Sequence, residues 1–164
     1  VSDVTEPVEN EDLVSFTASF ASGAAGTLSA SRVAYGLANS LGFEVFTERG
    51  AATFDLARAG EFGFIDGRPA GPTQGYRQVL VGPAHPYLTR GMAMDFPGVG
   101  YGQNDLFIFQ ARAFLEQVAG LDRLPRVASF AEGLHNMRLL DAVAASAKAG
   151  GAEVPVARPR RRPG

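Results

Sequence analysis

The spacing of apolar residues changes once along this chain, and the change divides it into two kinds of structure. Up to about Val81 the apolar positions alternate with polar ones. In "DLVSFTASF", Val14, Phe16, Ala18 and Phe20 alternate with Ser15, Thr17 and Ser19, the period of a half-buried strand. The turn "ASGA" follows, then "GTLSASRVAY" as a second strand, so the two predict a hairpin. "LGFEVFT" and "AATFDL" flank "ERG" and predict another, with Gly50 at the turn. "EFGFI" and "YRQVLV" are shorter strand candidates on either side of the glycine- and proline-rich "DGRPAGPTQG". Connections this short favour antiparallel neighbours, because a parallel neighbour needs a long crossover.

Residues 82–102, "GPAHPYLTRGMAMDFPGVGYG", are punctuated by glycine and proline, and a loop this long is often functional. Helical spacing then takes over. Phe107, Ala111, Phe114, Leu115 and Val118 mark one helix, stopped by Gly120. Ser129 and Glu132 stand at capping-box spacing and open a second helix. Leu134, Met137, Leu140 and Ala144 are its expected buried stripe, and Gly150–Gly151 its end. Strands followed by helices predict an α+β domain: a largely antiparallel open sheet with helices packed on one face.

Such a sheet leaves its other face for oligomerisation or domain contact. The second strand offers Ala25, Thr27, Ser29 and Ser31 on one side and Gly26, Leu28 and Ala30 on the other. In the third strand Phe43 and Val45 point away from Phe46, so both of its faces are apolar. A sheet apolar on both faces needs a second partner.

Most chemical classes are excluded early. No cysteine is present, so disulfides and thiolate metal sites are ruled out. A net charge of −2 gives no general attraction to nucleic acid or an anionic membrane. No apolar run approaches the ~18 residues of a membrane span, and a cytoplasmic setting is expected. "GEFGFIDG" and "GVGYG" lack the spacing and strand–helix context of a dinucleotide fingerprint. His135 reads as a surface or partly packed helix residue, and His85, in the long loop, is the better site candidate. No second histidine or acid pair stands at metal-ligand spacing. Asp95 and Asp105 flank the end of the loop, and Asp105 and the sole lysine, Lys148, suit a first and a last helical turn. None of these residues makes a nucleophile–base pair.

The ends differ from the middle. Residues 1–12 are acidic and residues 157–164, "ARPRRRPG", form a basic tail expected to be disordered. The domain proper is expected over residues 13–156. Val1 is not an initiator methionine, which points to a processed chain or a piece of a longer one.

Three segments together resemble the C-terminal domain of the glucose–fructose oxidoreductase / inositol dehydrogenase / rhizopine catabolism family (Gfo/Idh/MocA). They are "ENEDLVSFTASFASGAAGTLSASRVAYGLANSLGFEVFTERGAATFDL", "GVGYGQNDLFIFQARAFLEQV" and the final helix from Ser129. The resemblance covers roughly Val8 to Val156. It implies the substrate-side and oligomerisation domain of an NAD(P)-dependent sugar or polyol dehydrogenase. The glycine fingerprint and catalytic lysine would lie in a Rossmann domain preceding Val1, present in cis or trans. It therefore implies no catalytic residue and no bound cofactor for this chain alone, with NAD or NADP used by the full-length enzyme. The residues it places at the substrate wall are Arg32 and Asn39, and the long loop adds His85, Tyr87 and Tyr101. Many relatives have a histidine where this chain has Val99. It also implies a homo-oligomer built on the sheet. Two further readings are a stand-alone ligand-binding or dimerisation module without redox activity, and an unrelated small α+β ligand-binding protein.

Overall fold

The computed structural model describes residues 7, 9–37, 39–68, 71–88 and 98–157. Asp95 and nearly all of the basic tail lie outside them. The fold is α+β, with two antiparallel sheets and two helices. The chain divides into two compact units, residues 1–38 with 129–164, and residues 39–128.

In the first unit, β1 (Leu13–Ser19) pairs antiparallel with β2 (Ala25–Ser31). Val14, Phe16 and Ala18 are half-buried while Ser15, Thr17 and Ser19 are exposed, which is the period-two pattern of the sequence. The turn closes where the Phe20 N–H donates to the Ala24 carbonyl at 2.9 Å. Helix α2 (Phe130–Lys148) belongs to the same unit. Its capping box forms as the sequence predicts. The Glu132 N–H donates to Ser129 Oγ at 3.3 Å, and the Ser129 N–H donates to Glu132 Oε2 at 2.7 Å. Gly150 and Gly151 end it, the Gly151 N–H donating back to the Ser146 carbonyl at 2.8 Å. Lys148 stands in the last turn.

The buried stripe of α2 differs from expectation. Leu134, Met137, Leu140 and Ala144 are all exposed. The half-buried side is Arg138, Leu139, Ala142, Val143 and Ser146. This helix is apolar on two sides, so its 3.6-residue period marks two possible inner faces and does not choose between them.

In the second unit, β3 (Gly42–Thr47), β4 (Gly50–Asp55), β5 (Glu61–Asp66) and β6 (Arg77–Leu80) form one sheet in sequence order, every neighbour antiparallel. The strands thus fall into a two-stranded and a four-stranded sheet where the sequence reading drew one. Phe43 lies opposite Phe54, Ala52 lies between Val45 and Phe64, and Phe62 lies opposite Val79. By strand alternation these seven side chains share one face, while Glu44, Thr53 and Gln78 share the other. Gly50 allows the tight β3–β4 turn: its φ is +148°, and a Cβ there would stand 2.3 Å from the Ile65 carbonyl oxygen.

Helix α1 (Gln103–Val118) closes this unit. Its inner stripe is Leu106, Phe109, Ala113 and Glu116, with Phe109, Ala113 and Glu116 buried. Phe107, Ala111, Phe114, Leu115 and Val118, the apolar set visible in the sequence, lie on the exposed side. Asp105 sits in the first turn as expected and accepts a hydrogen bond from the Gly102 N–H at 2.8 Å. Glu116 is 8% exposed and is held by Arg112 Nε at 2.9 Å and Arg123 Nε at 3.2 Å. The hydrogen bond from Arg112, helped by the charge of Arg123, holds its carboxyl below the usual carboxylate range.

Candidate functional site

A chamber of about 300 Å³ opens within the four-stranded unit, between the sheet and the inner side of α1. The sheet contributes Phe43, Phe54 and Phe62, and α1 contributes Leu106 and Phe109. The loop after β6 and the segment before α1 add His85, Tyr87, Leu88 and Tyr101.

Local turns set the positions of the loop residues. The His85 N–H donates to the Gly82 carbonyl at 2.8 Å, and the Leu88 N–H donates to the His85 carbonyl at 2.9 Å. These two bonds fold Gly82–Leu88 into consecutive turns, and Leu88 anchors them at 1% exposure. The Tyr87 N–H donates weakly to His85 Nδ1 at 3.4 Å. Gly60 lets Tyr101 come in: a Cβ there would stand 3.0 Å from the Val99 carbonyl oxygen and 3.4 Å from the Tyr101 ring.

The rings form one connected set. Tyr87 stacks on Phe109 with centroids 5.8 Å apart and planes 13° apart. Tyr101 meets the same Phe109 edge-on at 5.9 Å, His85 lies 5.6 Å from Tyr87, and Phe43 and Phe54 pair across the strands at 5.5 Å. Such stacked and edge-to-face contacts add to the area they bury and fix ring orientation. One carboxylate, Glu61, reaches the wall, where it pairs with Arg58 and accepts from Gln78 Nε2.

Of the five residues singled out in the sequence, His85, Tyr87 and Tyr101 meet in this chamber. Asn39 instead donates from Nδ2 to Gln103 Oε1 at 3.3 Å, at the start of α1. Arg32 follows β2 in the other unit, where its N–H donates to the Asp12 carbonyl at 2.8 Å. Sequence reasoning missed Phe43, Phe54, Phe62, Phe109 and Glu61 as wall residues. A signal was present, because the phenylalanines recur at matching parity on three successive strands.

No group of three or more histidines or acids that could hold a metal occurs among the described residues. Nor do the helix starts fit a dinucleotide pyrophosphate. A phosphate site at a helix N-terminus needs free N–H groups and no negative charge. Here the first turns of α1 and α2 each carry their own carboxylate, Asp105 and Glu132, on the cap N–H.

Fold and chamber together define an α+β unit with an aromatic-lined chamber. The known proteins it is similar to are oxidoreductases. Among curated proteins, levoglucosan dehydrogenase of Pseudarthrobacter phenanthrenivorans is 33% identical over 142 residues, 86% of this chain and 35% of that protein. The structure of a levoglucosan dehydrogenase in complex with NADH and L-sorbose matches with a TM-score of 0.83 at 32% identity, over 93% of this chain and 40% of the other. An oxidoreductase domain protein from Kribbella flavida matches with a TM-score of 0.76 at 31% identity, over 88% and 38% respectively. The chain therefore spans between a third and two fifths of the length of these relatives. No protein-family model matches it.

Proposed function

We propose that this chain is the substrate-side and oligomerisation part of an NAD(P)-dependent sugar or polyol dehydrogenase of the Gfo/Idh/MocA family. The observation that carries the reading is the convergence of His85, Tyr87 and Tyr101 on one chamber, in a fold shared at 31–33% identity with sugar-dehydrogenase relatives. The family resemblance marks these loop residues as substrate-facing. In this role the chain positions a hydroxylated substrate, with His85, Tyr87 and Tyr101 among the side chains that line its chamber. Hydride transfer to the nicotinamide requires a dinucleotide-binding domain joined in cis or supplied in trans, and no step of that transfer is assigned to residues of this chain. Arg32 and Asn39 are further substrate-wall candidates by the same resemblance.

The test uses the intrinsic tyrosines, which emit without a tryptophan background because the chain has four Tyr and no Trp. Levoglucosan, L-sorbose and inositol are titrated while tyrosine emission and amide NMR shifts are followed. The expected result is saturable change centred on His85, Tyr87 and Tyr101, lost in Tyr87→Ala. Absence of any saturable response to all three compounds, with the fold intact by circular dichroism, would rule the reading out.

A further inference from the structure

Glu116 is a buried acid that the proposed function leaves unused, and it stands in the last turn of α1. Both its backbone and its side chain are fixed. Its carbonyl accepts from the Leu121 N–H at 2.8 Å while the Gly120 N–H donates to the Gln117 carbonyl at 3.1 Å, the paired bonds of a helix stop. Its carboxylate is divided between two arginines. Arg112 Nε donates to Oε1 at 2.9 Å from one turn back on the same helix, and Arg123 Nε donates to Oε2 at 3.2 Å from beyond the stop. Only Arg123 bridges the end of the helix to the segment that follows. A buried carboxylate is costly to leave unpaired, so this arm holds the start of that segment against α1.

A few residues further on, the same segment meets the chamber wall. Tyr87 Oη donates to the Pro125 carbonyl at 3.5 Å, a long bond that a small displacement would break. Tyr87, Leu106 and Phe109 line the chamber and also a second hollow of about 300 Å³, whose other lining residues are Gln110 and Val127. Tyr87 in turn stacks on Phe109 with planes 13° apart. The segment after α1 thus meets the wall at Pro125 and Val127 and is pinned near its start by Glu116.

We infer that Glu116 is a positioning residue of the chamber: acting through Arg123 and residues 121–127, it sets where the rings of Tyr87 and Phe109 stand. This rests on the substrate reading of the chamber proposed above and adds the device that holds its wall in place. The Tyr87 hydroxyl is engaged by the segment after α1, and Tyr87 serves the site through its ring.

The experiment compares Arg123→Gln with Arg112→Gln in the full chain. Each removes one arginine from the same carboxylate, and only the first cuts the link to the segment after α1. Aromatic NMR shifts of Tyr87 and Phe109 are read, and levoglucosan, L-sorbose and inositol are then titrated. Arg123→Gln is expected to move the signals of both rings and to weaken binding at least ~3-fold, the scale of coupling between residues in one network. Arg112→Gln is expected to leave rings and binding unchanged, even where it lowers the thermal midpoint as much. Tyr87→Phe, which removes the hydroxyl and keeps the ring, probes the link from its other end without touching the ion pair, and the Arg123 Nε–H signal is expected to move. Ring signals unmoved by Arg123→Gln, or moved equally by Arg112→Gln, would overturn the positioning role whatever the titrations give. An Arg123 Nε–H signal unchanged in Tyr87→Phe would overturn it too. Rings that move as expected in a chain whose parent binds none of the three compounds would overturn the substrate reading of the chamber, and with it Glu116 as a positioning residue for substrate.

Discussion

Glu116 is the one buried acid among the described residues, and its two arginines decide how the fold responds to acid. Its folded pKa is lowered, so its contribution is fully present above the unfolded value of ~4.3 and is lost as pH falls through the folded value. Asp66 behaves the same way: Arg68 holds it at about 2, against an ordinary 3.8. Arg68 is largely exposed, however, so solvent screens that pair and its share is small. The midpoint of urea unfolding is therefore expected to fall between pH ~4 and pH ~2, and Glu116→Gln is expected to flatten that fall while lowering stability at neutral pH. A Glu116→Gln chain with the parent's acid limb would mean that other carboxylates control it. Gly50 makes a second residue-scale case. Alanine there would meet the Ile65 carbonyl in a left-handed conformation. The expected loss is ~1–3 kcal/mol in denaturant titration, and a loss within a few tenths would show that the β3–β4 turn can relax.

At the scale of elements, hydrogen-bonding signals were legible and packing faces were not. Ser129, Glu132, Gly120 and Gly150–Gly151 mark helix ends in the sequence because each satisfies backbone groups within a few residues of itself. The strand of Val14, Phe16 and Ala18 was legible for a related reason, since a period of two admits only one division of inner from outer side chains. The helices admit more. In α1 the exposed set, Phe107, Phe114, Leu115 and Val118, is as apolar as the buried one, so only the tertiary arrangement identifies Phe109 as the inner residue. The chamber was half legible for the same reason: loop chemistry exposed His85 and Tyr87, while the phenylalanine floor depends on strand register. Two predictions belong here. Ser129→Ala removes the acceptor for the Glu132 N–H and is expected to cost ~1 kcal/mol, read as a lower thermal midpoint and earlier loss of helical ellipticity. The carboxylates at both helix starts predict that the isolated chain binds neither NAD nor NADP. Micromolar binding of either by calorimetry would contradict that.

At the scale of the whole molecule, little of the apolar surface is fully covered. Among the described residues, the buried apolar side chains are Leu88, Phe109 and Ala113. Large apolar groups stay exposed on both sides of β3, with Phe43 at 56% and Phe46 at 70%, and along the outer side of α1, with Val118 at 70%. Soluble monomers rarely leave contiguous apolar patches beyond a few hundred Å². β3 also ends the sheet order, so one row of its backbone groups has no partner strand within that sheet. A strand that is an edge and apolar on both faces is a template for association. The small exposed side chains Ser29 and Ser31 of β2 add a surface that another backbone can approach closely. Self-association is therefore expected. A contact of ~800 Å² per partner would have standard interface size, and two-fold symmetry is the commonest closed arrangement. Hydrophobic burial at ~25 cal/mol per Å² then exceeds what association costs only where the contact is well packed, so a single charge at its centre should disrupt it. Light scattering on the purified chain is expected to give more than the monomer mass at tens of micromolar. Phe46→Arg, which places a cation on the edge strand, and Ser29→Arg or Ser31→Arg, on the small-residue surface, are expected to shift the mass toward the monomer. A clean monomer in the parent chain, unchanged by any of the three substitutions, would remove self-association from the account and leave a different protein or domain as the cover for these faces.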